Sequence, residues 1–227
     1  MIRILQIALT IHWHKSLIAV NRGRHSPCNI NNMNNSVHGL HALASTYSEF
    51  HHSDFILYVQ GISPNYPGLR ALEWIPLVPH RQRESIEAAM QNIIPNSSGF
   101  TERNKQGALV KAAKRDSYLP VYFVSPLQGN ESAFGYDLAS QATRRAALML
   151  ARETGEAIAT GRVRLVQEKS EGEFFGFLLI RALYDNQAGQ KTIKGYVLGV
   201  FDVNTLIDTA LAGLNSEAYD IELLDIT

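Results

Sequence analysis

The stretch FFGFLLIRALYDNQAGQKTIKGYVLGVFDV, residues 174 to 203, decides the fold class. It contains two apolar runs rich in Phe, Leu, Ile, Val and Tyr, and the polar turn DNQAGQKTIK separates them. Such residues favour strands, and two runs joined by a short polar turn predict an antiparallel pair. A third run, AIATGRVRLVQE at residues 157 to 168, precedes them, and the charged turn KSEGE lies between it and the first of the two. Together the three runs predict a meandering antiparallel sheet.

Helical patterns flank this sheet in the sequence. RQRESIEAAMQNII, residues 81 to 94, places Ile86, Met90 and Ile93 on one face of a helix. QATRRAALMLARETG, residues 141 to 155, is rich in Ala and Leu and ends in a glycine, a common C-terminal signal. We therefore predict an α+β domain, an antiparallel sheet with helices on its faces.

The sequence also predicts the exposed face of the second helix and the elements that end the chain. The charged side chains Arg144 and Arg145 are interpreted as part of a solvated helix face. The segment NTLIDTALAGL, residues 204 to 214, predicts a closing helix with Asn204 as its N-cap. The last segment, YDIELLDIT at residues 219 to 227, predicts a strand that needs a partner.

The N-terminal part of the chain predicts a helical arm. An apolar stripe with alternating spacings of three and four predicts a long helix over residues 30 to 61; its members are Ile30, Met33, Val37, Leu40, Ala44 and Tyr47. The helix could lie on its own domain or form a dimer stalk. The preceding MIRILQIALTIHWHKSLIAV, residues 1 to 20, is interpreted as a helix with one apolar face, because charged residues and histidines interrupt any membrane-spanning run.

The composition excludes some classes of function. Of 227 residues, 45% are hydrophobic and 19% are charged, which is typical of a globular protein. Lys plus Arg and Asp plus Glu number 21 each, and this balance argues against a general nucleic-acid binder. The single cysteine, Cys28, cannot form an internal disulfide and is compatible with either redox environment.

The common catalytic signatures are missing from the sequence. There is no Walker phosphate loop, no GxSxG nucleophile elbow and no HExxH motif. His38 and His41 stand three residues apart and could share a metal ion, but no third ligand follows at a matching helical spacing. These histidines are interpreted as polar helix positions, and we expect no metal and no cofactor.

Four residues are candidates for ligand binding: Asp116, Tyr118, Thr160 and Arg164. They lie at the ends or along the inner faces of strands that would line one sheet. A curved sheet under a helix leaves a pocket, and such pockets combine apolar walls with a few polar groups. For Asp116 a turn position or an ion pair with Arg115 is an equally open interpretation.

Four segments carry a resemblance to a known family, and they occur in order with compatible spacing: ALEWIPLVPHRQR (71 to 83), RDSYLPVYFVSPLQGNESAFGYDLAS (115 to 140), RRAALMLARETGEAIATGRVRLVQE (144 to 168) and GYVLGVFDV (195 to 203). From about residue 36 to residue 203 the chain resembles the CHASE domain. This is the extracytoplasmic sensory domain of bacterial transmembrane histidine kinases and diguanylate cyclases, and of plant cytokinin receptors.

The resemblance implies an organisation for the whole chain. Residues 1 to 29 would be a helical segment and joint, and residues 30 to 61 a stalk helix. Residues 62 to 203 would form a PAS-like ligand-binding lobe. Residues 204 to 227 would be a connecting helix and the first strand of an incomplete membrane-proximal lobe.

The resemblance also implies a function without catalysis in this chain. The plant receptors anchor their ligand with an acidic side chain and a threonine, which suggests roles for Asp116 and Thr160. We expect a small-molecule ligand, such as an adenine derivative or an organic acid, a homodimer formed through the stalk, and a periplasmic or extracellular position in a membrane protein. A structural dimerisation module and a small hydrolase or lyase using Asp116 are the alternatives.

Overall fold

The fold is described from a computed structural model. It describes residues 8–13, 16–19, 30–46, 50–62, 68–164, 175–187, 190–211 and 220–224. Tyr47 of the predicted stripe, the turn at residues 169 to 173 and the segment around Cys28 lie outside the described residues.

Groups of strands are separated by one or two helices along the described chain. The helices are α1 (Ile30–Thr46), α2 (His52–Ile62), α3 (Arg83–Ile93), α4 (Ala142–Thr154) and α5 (Val203–Leu211). The strands are β1 (Ala8–Trp13), β2 (Ser16–Ala19), β3 (Leu69–Pro76), β4 (Val78–Pro79), β5 (Thr101–Arg103), β6 (Leu109–Lys111), β7 (Ser117–Tyr118), β8 (Phe123–Ser125), β9 (Ile158–Ala159), β10 (Val163–Arg164), β11 (Phe175–Gln187), β12 (Gln190–Asp202) and β13 (Asp220–Leu224).

The central sheet is antiparallel and has the order β10–β11–β12–β3–β8, with β9 also paired to β11. Its longest ladder joins β11 to β12, the two runs that predicted the sheet. The strand β3, which lies far earlier in the chain, pairs with β12 on one side and β8 on the other. The predicted meander is confirmed, and β3 and β8 extend it.

Each face of this sheet is covered by helices. One face, here called the α4 side, packs against Met90 of α3 and Leu148 of α4. The opposite face, the α1 side, packs against Val37 and Leu40 of α1 and Phe55 of α2. Helix α1 approaches β12 closely at Gly199, where an added Cβ would lie 3.2 Å from Cγ2 of Val37. The α+β class is therefore confirmed.

The long helix predicted over residues 30 to 61 is not one helix. It ends at Thr46, and a second helix begins at His52, with Phe50 and His51 outside both. The ring of Phe50 is buried and lies edge-on to Phe55 and to Trp74 of the sheet. These ring contacts hold the chain just before α2 against the sheet, and a continuous stalk is not confirmed.

The N-terminal segment is also not the helix that was predicted. Within it, β1 and β2 form an antiparallel pair, and β1 pairs on its other edge with β13. The sequence ALTIHW contains the β-branched residues Thr10 and Ile11 and an aromatic residue, which favour a strand. The predicted C-terminal strand is confirmed, and its partner is β1. No helix in the described ranges has the length and apolar composition needed to cross a membrane.

The helix-terminus predictions had different outcomes. Gly155 ends α4 in the left-handed conformation, with φ of 73°, as its position predicted. The N-cap of α5 is Asp202 and not Asn204, because the carboxylate of Asp202 accepts a hydrogen bond from the backbone N–H of Thr205. Asp202 also forms an ion pair with Arg70, which fixes the end of β12 to the start of β3.

Candidate functional site

The four predicted ligand residues lie on two separate parts of the fold. Asp116 and Tyr118 belong to the short ribbon of β4 and β7, where the carbonyl of Asp116 accepts a hydrogen bond from the N–H of His80. Thr160 and Arg164 lie beside the edge of β11. Tyr118 and Thr160 are buried, whereas Asp116 and Arg164 are exposed. The role of each in ligand binding stays a prediction.

The hydroxyl group of Tyr118 is already engaged within the protein. It accepts hydrogen bonds from Nη1 of Arg83 at 3.1 Å and from the backbone N–H of Arg115 at 3.0 Å. Nδ1 of His80 lies 3.0 Å from the same oxygen. The guanidinium of Arg83 also lies over the Tyr118 ring, 4.8 Å from its centroid. Tyr118 therefore organises a buried polar network that joins α3 to the β4–β7 ribbon.

We expect Tyr118→Phe to lower the free energy of unfolding by about 2 kcal/mol, because it leaves buried donors of Arg83 and Arg115 without their acceptor. Chemical denaturation followed by circular dichroism measures this loss. The matched control is Tyr122→Phe, which removes a half-buried hydroxyl beside Phe123. Equal stability of the two variants would contradict the assigned network.

Thr160 has a structural contact as well. Its backbone N–H donates to the carbonyl of Leu178, and its Oγ1 accepts from the N–H of Leu178 at 3.0 Å. This double contact attaches the loop after β9 to β11. Because Oγ1 of Thr160 is the acceptor in this contact, its hydroxyl proton can still be donated to a ligand acceptor.

The charged residues 114 to 116 lie directly before β7, and the contacts of Arg115 explain their position. Its guanidinium pairs with Glu102 and with Asp137, the latter at 3.2 Å. Asp137 is fully buried, and its Oδ1 accepts hydrogen bonds from the N–H groups of Leu119 and Ala139. Burial raises the pKa of Asp137, and its hydrogen bonds and Arg115 oppose that rise. Arg115 therefore forms its ion pairs with Glu102 and Asp137 and not with Asp116, the partner considered from the sequence.

A second group of polar residues lies on the α4 side of the sheet, and we call Glu73, Thr101, Tyr136 and Arg144 the interior cluster. Glu73 is in the middle of β3 and is 2% exposed. Its neighbours along the strand on the same face, Ala71 and Ile75, belong to the apolar packing of the α4 side. Burial raises the pKa of Glu73 from 4.5 to about 8, and the positive charge of Arg144 opposes the rise.

Arg144 brings a positive charge into the same interior. It is 3% exposed, its Nη2 donates to the carbonyl of Arg164 at 3.0 Å, and its guanidinium lies 5.1 Å from the ring centroid of Tyr136. Burial lowers the pKa of Arg144, while Tyr136 and Glu73 oppose this effect. The interpretation of Arg144 as a solvated residue is wrong, although Arg145 is exposed as predicted.

Sequence reasoning missed the interior cluster, although two signals for it were present. Arg144 shares a helix face with the buried residues Ala147, Leu148 and Ala151, at spacings of three, four and seven. Glu73 interrupts the apolar run ALEWI, which otherwise predicts a buried strand. A charged residue at a core position is uncommon unless it has a partner, so each marks a site to examine.

Comparison with known proteins shows which family and which relatives this chain resembles. The family model of the CHASE domain matches residues 48–227. The chain is 25% identical over 210 residues to "Probable histidine kinase 6" of Oryza sativa subsp. japonica, which covers 85% of this chain and 20% of the relative. It is 27% identical over 123 residues to "Hybrid signal transduction histidine kinase A" of Dictyostelium discoideum, covering 52% of this chain and 6% of that protein.

One solved structure resembles the chain with a lower sequence identity than these relatives. "Extracellular ligand binding receptor from Desulfohalobium retbaense DSM5692" has a TM-score of 0.44 and 14% sequence identity, and the match covers 80% of this chain and 24% of that one. The chain spans a small part of each curated relative, 20% of the rice protein and 6% of the Dictyostelium protein.

The class of protein follows from these findings: a mixed sheet-and-helix domain that serves as a sensory input module. The chain belongs to the CHASE domain family. The resemblance read from the sequence is thereby confirmed for the family. Because the match extends to residue 227, it includes α5 and β13 beyond the segments that carried the resemblance.

Proposed function

We propose that this chain binds a small molecule on the α4 side of its sheet and passes the binding event to a cytoplasmic histidine kinase or diguanylate cyclase. The interior cluster is the observation that carries the proposal, because buried ionisable groups under a sheet can recognise a ligand by hydrogen bonds and charge. The proposed location is the periplasmic or extracellular side of a membrane, with a homodimer formed through α1. The catalytic output would lie in another domain.

A route for the signal is available through β11. On the α4 side, Ile180 and Ala182 of this strand pack in the core next to the interior cluster. On the α1 side, the ring of His41 hydrogen-bonds the carbonyl of Ala182 at 3.1 Å. Ligand binding that moves β11 would therefore move α1. A ligand shifts such an equilibrium only as far as its affinity differs between the two states.

The proposal is tested by a thermal-shift screen of the purified chain against adenine derivatives and organic acids. A ligand at about 100 times its dissociation constant stabilises the folded state by about 2.7 kcal/mol, which corresponds to roughly 5 to 10 °C in melting temperature. Asp116→Ala tests the expectation from the family resemblance that Asp116 anchors the ligand; because Asp116 lies outside the interior cluster, loss of the shift would move the site to the β4–β7 ribbon. The matched control is Lys114→Ala, an exposed neighbour in the same segment.

Each outcome of this screen decides between specific alternatives. A shift that survives Asp116→Ala removes this carboxylate from the ligand site and leaves the sensor function standing. A folded chain that no compound stabilises would contradict the sensor function and favour a structural dimerisation module.

A further inference from the structure

We propose that the interior cluster binds the carboxylate group of a small organic acid, with Nε of Arg144 and the hydroxyl of Thr101 as its hydrogen-bond donors. This inference rests on the proposed function and specifies its ligand class. It is carried by two buried polar atoms that have no hydrogen-bond partner among the residues that the structure describes.

The first of these atoms is Nε of Arg144. It is buried and has no acceptor among the described residues, although Nη2 of the same side chain is bonded to the carbonyl of Arg164. A buried N–H without an acceptor is costly, and the cost is larger on a charged group. An arginine offers its donors in a planar fork that matches the two oxygens of a carboxylate. An external carboxylate would supply the acceptor that this N–H lacks.

The second atom is Oγ1 of Thr101, which is likewise buried without a partner in the described part of the chain. Thr101 forms a parallel bridge with Tyr136, and bridged residues place their side chains on one face. The guanidinium of Arg144 lies over the Tyr136 ring. These contacts bring the unused hydroxyl and the unused Nε to the same aromatic residue.

The charge of the cluster favours an anion. Burial raises the pKa of Glu73 to about 8, so near neutral pH this carboxyl is largely protonated. Protonation of Glu73 would leave the positive charge of Arg144 less compensated. Arg103, the next residue but one from Thr101, adds a second positive charge that lowers the pKa of Arg144. A bound carboxylate would neutralise this excess.

The surroundings limit the body of the ligand. Ile75, Ile180 and Leu198 are fully buried on this side of the sheet, and they provide an apolar wall next to Glu73. A compact acid with an apolar body suits this environment better than a polyanion, because each further charge would need its own buried partner.

The test compares each acid with its uncharged analogue. Short aliphatic, aromatic and α-amino carboxylates, each beside its primary amide, are titrated into the purified chain by calorimetry in a buffer free of carboxylates. At least one acid is expected to bind, and its amide about tenfold or more weaker. The Nε–H resonance of Arg144 in a ¹⁵N spectrum, assigned from its absence in Arg144→Lys, is expected to shift with the acid and not with the amide.

Two variants assign the donors. Arg144→Lys keeps the charge and loses the planar fork, and it is expected to weaken binding of the acid about tenfold or more. Thr101→Val removes a hydroxyl that has no partner in the described part of the chain, so the protein is expected to fold normally and bind the acid several-fold more weakly. Thr143→Val, at an exposed position on α4, is the matched control and is expected to bind as the parent does.

The outcomes separate this inference from the function on which it rests. If adenine derivatives or amides bind and no acid does, the carboxylate assignment is overturned and the sensor function stands. An acid whose affinity is unchanged in Arg144→Lys and Thr101→Val also overturns it. If no compound of any class binds the folded chain, both fail together.

Discussion

Replacing Glu73 with glutamine is expected to remove the part of the pH dependence of stability that Glu73 contributes between about pH 4.5 and pH 8. The wild-type chain should lose about 4 kcal/mol of unfolding free energy across this range through Glu73, because one pKa unit corresponds to about 1.4 kcal/mol. The variant should be the more stable protein at pH 8 and equal to the wild type near pH 4.5.

The sign of this effect follows from the direction of the pKa shift. Burial raises the pKa of Glu73 in the folded protein, so the folded state holds this proton more tightly than the unfolded chain does. The resulting stabilisation is complete below the unfolded pKa of 4.5 and is lost as the pH rises through about 8. Glutamine resembles the protonated carboxyl at every pH and releases no proton, so its contribution to stability does not change with pH.

Urea unfolding at a series of pH values measures the effect. Burial also raises the pKa of Asp137 and lowers that of His41, but both groups titrate in the wild type and in the variant alike. The difference between the two curves therefore isolates Glu73. Glu153→Gln, at an exposed position on α4, is the matched control and should follow the wild type. Parallel curves for Glu73→Gln would mean that Glu73 is ionised at neutral pH and paired with Arg144.

Asp137→Ala is expected to destabilise the chain by about 3 to 5 kcal/mol, because two backbone N–H groups lose their buried acceptor at about 1 to 3 kcal/mol each and Arg115 loses one ion pair. The substitution leaves Arg115 without one of its two carboxylates and leaves the N–H groups of Leu119 and Ala139 without their acceptor. These contacts hold the segment after β7 to the 3₁₀ turn that precedes α4. Thermal or urea unfolding measures the loss.

Two further variants divide the cost of Asp137→Ala into its parts. Asp137→Asn keeps an oxygen for the backbone donors and should cost less than the alanine variant. Glu102→Gln weakens the other ion pair of Arg115, which is more exposed to solvent, and should cost about 1 kcal/mol. An alanine variant as stable as Glu102→Gln would show that the buried carboxylate of Asp137 is not a structural anchor.

The local patterns of the sequence were sufficient for the β11–β12 pair of the central sheet and for two of the helices. The strands β11 and β12, the helices α3 and α4, and the left-handed Gly155 all follow from apolar periodicity and turn chemistry. These features depend on residues close together in the chain. Four ordered segments were also enough to identify the family.

The errors arose where contacts between distant residues determine the structure. The break between α1 and α2 depends on the packing of Phe50 against Trp74, which a helical stripe does not reveal. The N-terminal strands depend on pairing with β13, more than 200 residues away. The interior cluster needs β3 and α4 to face each other, and neither segment alone predicts that Glu73 and Arg144 share an interior.

The alternation of side chains along β3 has a consequence for how this domain can diverge. Glu73 lies on the α4 side, while its immediate neighbours Leu72 and Trp74 lie on the α1 side. Point substitutions at alternate positions could therefore alter what the α4 side recognises while leaving the packing of the α1 side intact. Insertion or deletion of one residue within β3 would exchange the two sets, placing Trp74 beside Arg144 and a carboxyl group under the helices. A new ligand specificity can therefore arise in β3 by substitution but not by insertion or deletion of a residue.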